Sequence, residues 1–329
     1  MRILIVKLSS LGDVVHALPV VADIRAAHPD ALIDWVVEPA FAPLVRRVRG
    51  IAETIELPLR RWTDSGLARA LWNGDVQTFA TRLRRERYDA VLDLQGLTKS
   101  AVIATIARGP SHGLANRTEG SSHEWPARAL VTHAIRVEPR IHALDRSRVL
   151  ASKALGSSID SAPEFGLARI ATKAPGAADT VVLVHGTSRA DKLWPEANWI
   201  ELGRRLAEQG SRIALPRFGD QEHERAQRIA DGIRAASGDV AEIWPSLALD
   251  ALIDRMAQTA GAVGVDSGPS HIAVALDLPH VQIYNHPTAW RTGPQARHGH
   301  RHQVSIEGVP TPDVDAVWAA WQRVRAAAT

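Results

Sequence analysis

The chain opens on an apolar run, "RILIV", and then changes period: Val14, Leu18 and Val21 recur at helical spacing. That pattern predicts a buried strand, a polar turn and an amphipathic helix. The unit repeats in "ALIDWVVEPAFAPLVRRV" (31–48) and in "YDAVLDLQGLTKSAVIATIA" (88–107), where Asp93 sits at the turn. It returns later in "TVVLVHGTS" (180–188) followed by the helical "PEANWIELGRRLAEQG" (195–210). "SRIALPRFGDQEHERAQRIADGI" (211–233) and "LDALIDRMAQTAGAVGVDSGPSHIAVALDLPHVQIYN" (249–285) continue the series. Such repeats predict mostly parallel sheets crossed by helices, an α/β fold. Two stretches depart from the pattern. Residues 57–86 are polar, basic and tryptophan-bearing, and 110–145 carry few strand signals and read as a long excursion with some helix.

Residues 157–180 are dominated by Ser, Ala, Pro and Gly and read as a linker. At 329 residues the chain suits two domains. The expected division is a Rossmann-like α/β/α domain over 1–165, a linker over 166–179 and a second such domain over 180–310. A C-terminal helix over 311–329 is expected to pack back on the first. The two domains are expected to face each other across a cleft, where ligands commonly bind.

Composition narrows the chemistry. Hydrophobic residues make up 45% and charged residues 23%, an ordinary globular mixture. There is no cysteine, which excludes disulfides, thiolate catalysis and cysteine metal sites. The net charge of +3 and a pI near 9.6 favour anionic partners. No zinc finger, RNP-type strand or long basic helix points to nucleic acid. The opening lacks a signal-peptide core, and no apolar run reaches a membrane-spanning length, so the expected location is cytoplasmic or peripheral. The GxGxxG fingerprint is absent and "GLTKS" does not meet the P-loop spacing. No metal-ligand spacing such as HExxH occurs, and no metal or cofactor is expected.

Three turns carry the candidate chemistry. "KLSSLGDVVHALP" puts Asp13 where the first helix begins; taken alone, it is a helix cap or part of a ligand site at a strand end. "HGTSRADKLWPEANW" offers the hydroxyls of Thr187 and Ser188 and the ammonium of Lys192, suited to a diphosphate. "VGVDSGPSHIAVAL" ends a strand at Asp266 and turns through Ser267 and Gly268 into a helix whose first amides can hold phosphate. His271, one turn on, is either a packed histidine or an anion donor. Glu222 can cap a helix or hold ribose hydroxyls. In the first half, Lys7, Ser10, Arg60, Arg61, Gln95 and Lys99 are candidates for an anionic acceptor. "LRRW" (59–62) could rest at a membrane headgroup layer through Leu59 and Trp62.

These stretches, with "DWVVEPAF", "DLQGLTKSA" and "DKLWPEANW", closely resemble the lipopolysaccharide heptosyltransferases, glycosyltransferase family nine. The likeness runs through nearly the whole chain. It implies the GT-B fold and transfer, with inversion, of L-glycero-D-manno-heptose from ADP-heptose to the first Kdo of Kdo2-lipid A. By the resemblance Asp13 is the catalytic base and Lys192 contacts the donor phosphate. Thr187 and Ser188 serve the diphosphate, and Asp266 holds the heptose hydroxyls. Ser267, Gly268 and His271 belong to the same donor loop, Glu222 meets the ribose, and Arg117 stands in for a basic acceptor contact. The implied protein is a monomer, peripheral on the cytoplasmic face of the inner membrane, taking ADP-heptose as co-substrate with no obligatory metal. Two alternatives stay open: a family member acting on heptosyl-Kdo2-lipid A, and a non-catalytic sugar-nucleotide-binding protein.

Overall fold

A computed structural model describes residues 1–64, 67–167 and 179–328. The chain divides into two compact units, Met1–Ala168 and Arg169–Thr329. The expected linker lies mostly outside the described residues.

The first unit is built on a parallel sheet of β1 (Arg2–Val6), β2 (Leu32–Val37), β3 (Ile51–Glu56), β4 (Ala90–Asp93), β5 (Ser111–Leu114) and β6 (His133–Ile135), in the order β3-β2-β1-β4-β5-β6. The helices are α1 (Leu11–Ala17), α2 (Pro19–Ala27), α3 (Ala42–Arg46), α4 (Leu59–Asp64), α5 (Leu67–Trp72), α6 (Asp75–Leu83), α7 (Thr98–Ile106), α8 (Trp125–Leu130) and α9 (Ala143–Leu155). The single helix read over Val14–Val21 is two. Pro19 cannot donate to the ladder, so α1 stops and Pro19 starts α2.

The excursion over 110–145 hides two strands, β5 and β6. They are short and of mixed polarity ("SHGL", "HAI"); β6 is the edge strand and β5 lies next to it. There a strand needs little apolar surface, and periodicity gives no signal. β3, "IAETIE", is the opposite edge and equally mixed. The basic stretch over 57–86 contains α4, α5 and α6. Trp62, expected at a membrane surface, is 6% exposed, and its ring meets Phe79 edge-on at 6.0 Å. It is core, packed with Leu83 and Tyr88.

The second unit repeats the plan. Its sheet consists of β7 (Thr180–Val184), β8 (Arg212–Leu215), β9 (Ala241–Ile243), β10 (Gly261–Val265), β11 (His280–Tyr284) and β12 (Gln303–Glu307), in the order β12-β11-β10-β7-β8-β9. Its helices are α10 (Glu196–Glu208), α11 (Asp220–Ser237), α12 (Leu249–Ala257), α13 (Gly268–Ala275), α14 (Ala289–Thr292) and α15 (Val314–Ala328). β7 and β10 are buried along their whole length, as a central parallel strand requires.

The C-terminal helix corrects an expectation. α15 buries Val317, Ala320, Trp321 and Val324 in the core of the second unit, beside Val281 and Ile283 of β11. It covers its own sheet because its apolar stripe continues that core.

In each sheet the chain leaves the centre in both directions, from β1 and β4 in one and from β7 and β10 in the other. Loops at the carboxyl ends of those strands diverge and leave a crevice, the position where ligands bind in open α/β sheets.

Candidate active site

In the first unit the crevice is formed by the loops after β1 and β4. Ser10, in extended conformation, caps α1, and Asp13 lies in the helix's first turn. Asp13 Oδ2 accepts from the Ser10 amide at 3.3 Å and from its hydroxyl at 2.9 Å. The structure thus shows the capping role of Asp13 directly. Capping uses one oxygen and leaves the other to face two cations, Lys7 Nζ at 3.8 Å and Arg146 Nη2 at 3.9 Å. Burial would raise the pKa of Asp13. The charges of Lys7 and Arg146 and the Ser10 bond outweigh it and hold the group at about 2. The side chain remains 41% exposed, so its carboxylate can still meet a ligand.

Lys7 is not placed to bind an acceptor. It is 2% exposed and its ammonium donates to Leu94 O at 3.2 Å. Burial pushes its pKa down to about 8, against the pull of Asp13. Gln95 likewise supports the loop, its Oε1 accepting from the amides of Leu8 at 3.1 Å and Ser9 at 3.4 Å. Arg60, Arg61, Lys99 and Arg117 are exposed, on α4, on α7 and in the loop after β5. Besides Lys7, Arg146 of α9 reaches Asp13, and sequence reasoning missed it. The signal was present: α9 buries Arg146 and Arg148 among Ala143, Leu144, Ser147, Leu150 and Ala151. Charges at core positions of a helix ask for a partner.

Beneath this site Asp93 ends β4, 1% exposed. Its Oδ1 accepts from the amides of Gln95 at 2.9 Å and Gly96 at 3.3 Å, and Oδ2 from Ser100 Oγ at 3.1 Å. Burial nevertheless raises its pKa to about 6. A carboxyl with a raised folded pKa loses stability as pH climbs from its unfolded value, 3.8, to about 6. Asparagine fits the same contacts. Its oxygen takes the two amides and its nitrogen faces Ser100 Oγ, whose own proton already reaches Leu97 O at 2.8 Å. Asp93→Asn is therefore expected to raise the melting temperature. The gain should grow between pH 4 and 6 and then level off in thermal scans across pH. A variant that melts lower at pH 7 would show that the ionised carboxylate is needed.

In the second unit the crevice lies after β7 and β10. Asp266 is the hub, 7% exposed. Oδ2 pairs with Lys192 Nζ at 2.6 Å. Oδ1 faces His271 Nε2 at 3.2 Å and accepts from Thr292 Oγ1 at 3.3 Å. Burial raises its pKa, but the His271 bond and the charges of His271 and Lys192 carry it well below the ordinary carboxylate range. His271 is thus a partner of the carboxylate rather than apolar packing. Thr187 Oγ1 donates to Asp266 O at 3.4 Å, which ties the β7 loop to the β10 loop, and Ser188 is exposed beside it.

Ser267 caps α13, and its Oγ is buried with no partner among the described residues. A buried hydroxyl left open at the start of a helix with Gly268 at its first position suits a phosphate oxygen. On β10, Gly264 permits close packing of α13. A Cβ there would fall 2.2 Å from Ser270 Oγ and 2.7 Å from Val184 Cβ. Glu222, in the first turn of α11, accepts from the Phe218 amide at 2.7 Å. Its carboxyl lies against Gly186, where a Cβ would come within 2.5 Å. Burial raises the pKa of Glu222 against the Phe218 bond.

The chain is similar to proteins of one family. Residues 76–314 match the family model described as glycosyltransferase family 9 (heptosyltransferase). The chain is 36% identical over 288 residues to lipopolysaccharide heptosyltransferase 1 of Escherichia coli K12, covering 86% of this chain and 88% of the relative. Lipopolysaccharide heptosyltransferase 2 of the same strain is 28% identical over 310 residues, 86% of this chain and 82% of the relative. Among solved structures, the E. coli heptosyltransferase WaaC with ADP superposes with a TM-score of 0.86 at 31% identity, over 98% of this chain and 100% of that one. The same enzyme with ADP-2-deoxy-2-fluoro heptose gives 0.81 at 32% identity, over 96% and 98%.

Proposed function

The chain belongs to glycosyltransferase family 9, and from that premise we propose that it transfers heptose from ADP-heptose to the first Kdo of Kdo2-lipid A, in lipopolysaccharide core synthesis. The observation that carries the reading is the arrangement around Asp266. Lys192, Thr187 and the open hydroxyl of Ser267 gather at the switch point of the second sheet. Cations, hydroxyls and helix amides there suit a diphosphate. Asp266 meets the sugar hydroxyls, Glu222 the ribose, and the first unit the acceptor.

The reaction is one displacement. The acceptor oxygen attacks the anomeric carbon and the carbon–oxygen bond to the β-phosphate breaks, its electrons staying on the phosphate. The hydroxyl proton passes to Asp13. A base held near pKa 2 cannot take a proton from an unactivated hydroxyl. Proton transfer therefore comes late, once bonding to an electron-poor sugar has acidified the oxygen. In exchange the carboxylate is always ionised and is held by fixed donors. Lys192 meets the charge growing on the leaving ADP.

Among the described residues no helix is long and apolar enough to cross a membrane. The acceptor is a membrane lipid, so the protein works peripherally at the inner face. The second reading, an acceptor already bearing one heptose, is the less favoured, since identity is 36% to the relative named 1 and 28% to the one named 2. Incubation with ADP-heptose and either Kdo2-lipid A or heptosyl-Kdo2-lipid A, followed by mass spectrometry, tests it. One heptose added to the first substrate alone is expected. Product from the second alone would reverse the assignment, and release of no ADP from either would reject the enzyme.

A further inference from the structure

One cation beside the Asp266 cluster has no role in the account above. Arg291 lies in α14, in the loop after β11, and lines a cavity of about 60 Å3 together with Lys192, Asp266 and Tyr284. The other positive groups of that wall are balanced. Lys192 is held by Asp266, and Arg189 is bound bidentately by Asp191 at 2.6 and 3.0 Å. The Arg291 guanidinium, half-buried, donates to none of the described residues. Its backbone is nevertheless fixed from both sides. Ala289 N donates to Glu307 Oε1 at 2.7 Å. Thr292 bridges the Tyr284 hydroxyl at 3.1 Å to Asp266 Oδ1 at 3.3 Å. A short helix anchored to the carboxylate that Lys192 grips thus holds a second cation on the same cavity. With Asp191 cancelling Arg189 and Asp266 cancelling Lys192, the cavity keeps the charge of Arg291 unanswered. A partly desolvated guanidinium without a counter-ion is unfavourable, and its planar fork matches phosphate oxygens.

We propose that Arg291 is the second cation on the leaving group, binding the sugar-bearing phosphate of the nucleoside diphosphate donor together with Lys192. The inference rests on the donor reading above and adds to it a residue from a different strand end. As the bond to the sugar breaks, negative charge collects on that phosphate, and two fixed cations stabilise it more than one.

AMP and ADP separate this contact from a merely structural one, because AMP lacks the phosphate concerned. Calorimetric titration of both nucleotides into the unsubstituted protein, Arg291→Gln and Arg291→Lys is the test. Arg291→Gln is expected to weaken ADP about 10- to 100-fold and AMP less than about twofold, with Arg291→Lys between. In turnover assays kcat/KM for ADP-heptose falls and KM for the lipid acceptor stays. Equal weakening of ADP and AMP would mean that the loop has only lost its shape, and overturns the proposal. So does unchanged ADP binding. A rise confined to the acceptor KM would place an acceptor carboxylate or phosphate there instead. If the unsubstituted protein binds no ADP, the donor reading itself fails and takes this inference with it.

Discussion

Replacing Asp13 by alanine is expected to lower turnover by about 10²–10⁴-fold while ADP affinity stays within about twofold. Asp13 combines a part-exposed carboxylate with two neighbouring cations and a bond to the cap residue Ser10 that holds it in place. Loss of the Asp13 bonds to the cap residue Ser10 costs α1 some stability, about 1.5–3 kcal/mol for a hydrogen bond to a charged group, too little to unfold the enzyme and imitate the loss of turnover. The pH profile adds a separate check. Since the folded pKa is lowered from 3.8 to about 2, the stability that ionised Asp13 contributes is complete above pH 4 and lost as pH falls through about 2. Turnover should accordingly show no acid limb from Asp13 between pH 4 and 8. An acid limb near pH 6 in the wild type has one ready source in Asp93, whose pKa is about 6. If such a limb persists in Asp93→Asn, the base is another group. On the alkaline side Lys7 gives up its proton near pH 8, and Asp13 then keeps only Arg146 as a neighbouring cation.

The second large effect is expected at Lys192. Lys192→Ala should lower turnover by about 10²–10³-fold and also weaken ADP, because the phosphate is charged before the transition state and more so within it. The structure adds a condition. Lys192 also neutralises Asp266, from 2.6 Å, and the carboxylate is 7% exposed. The alanine variant therefore leaves a buried carboxylate with His271 and Thr292 as its remaining partners, and some lost stability is expected alongside the kinetic defect. Pairing it with Asp266→Asn separates the two. If Lys192 served only as a counter-ion, removing the carboxylate's charge would restore ADP binding to the alanine variant. If it serves the diphosphate, the double variant binds ADP as weakly as the alanine variant, whatever Asp266 contributes to the sugar. Steady-state kinetics with ADP-heptose, with ADP titrations beside them, decide between these.

Much of the second site was legible in the chain. Thr187, Ser188 and Lys192 stand in the polar stretch after β7, and Asp266, Gly268 and His271 in the turn and first helical turn after β10, where strong βα periodicity is interrupted. A polar turn between a buried strand and a helix has few purely structural uses for so many donors. The first site was less legible. Lys7 and Gln95 looked like ligand contacts because they flank the strand ends, yet both face inward. Sequence position places a residue beside a crevice without saying which way its side chain turns. Trp62 and the short strands β5 and β6 failed for a related reason, since burial of one aromatic or pairing of three or four residues of mixed polarity depends on what folds against them.

What the sequence determined by itself is the βα repeat in each half, because buried parallel strands and amphipathic helices each demand a local hydrophobic period. It also placed the polar turns after β1, β7 and β10, because Gly, Ser and Asp at a strand end encode their own backbone geometry. Tertiary structure alone decided strand order, and with it which two turns share a crevice. It brought Arg146 to within 3.9 Å of Asp13, and Thr292 and Arg291 to the carboxylate and cavity of Asp266. Charge partners so far apart along the chain leave no periodic trace. They are chosen by the low dielectric of the crevice, where an ion left without a counter-charge costs more than the ordering of the side chains that supply one.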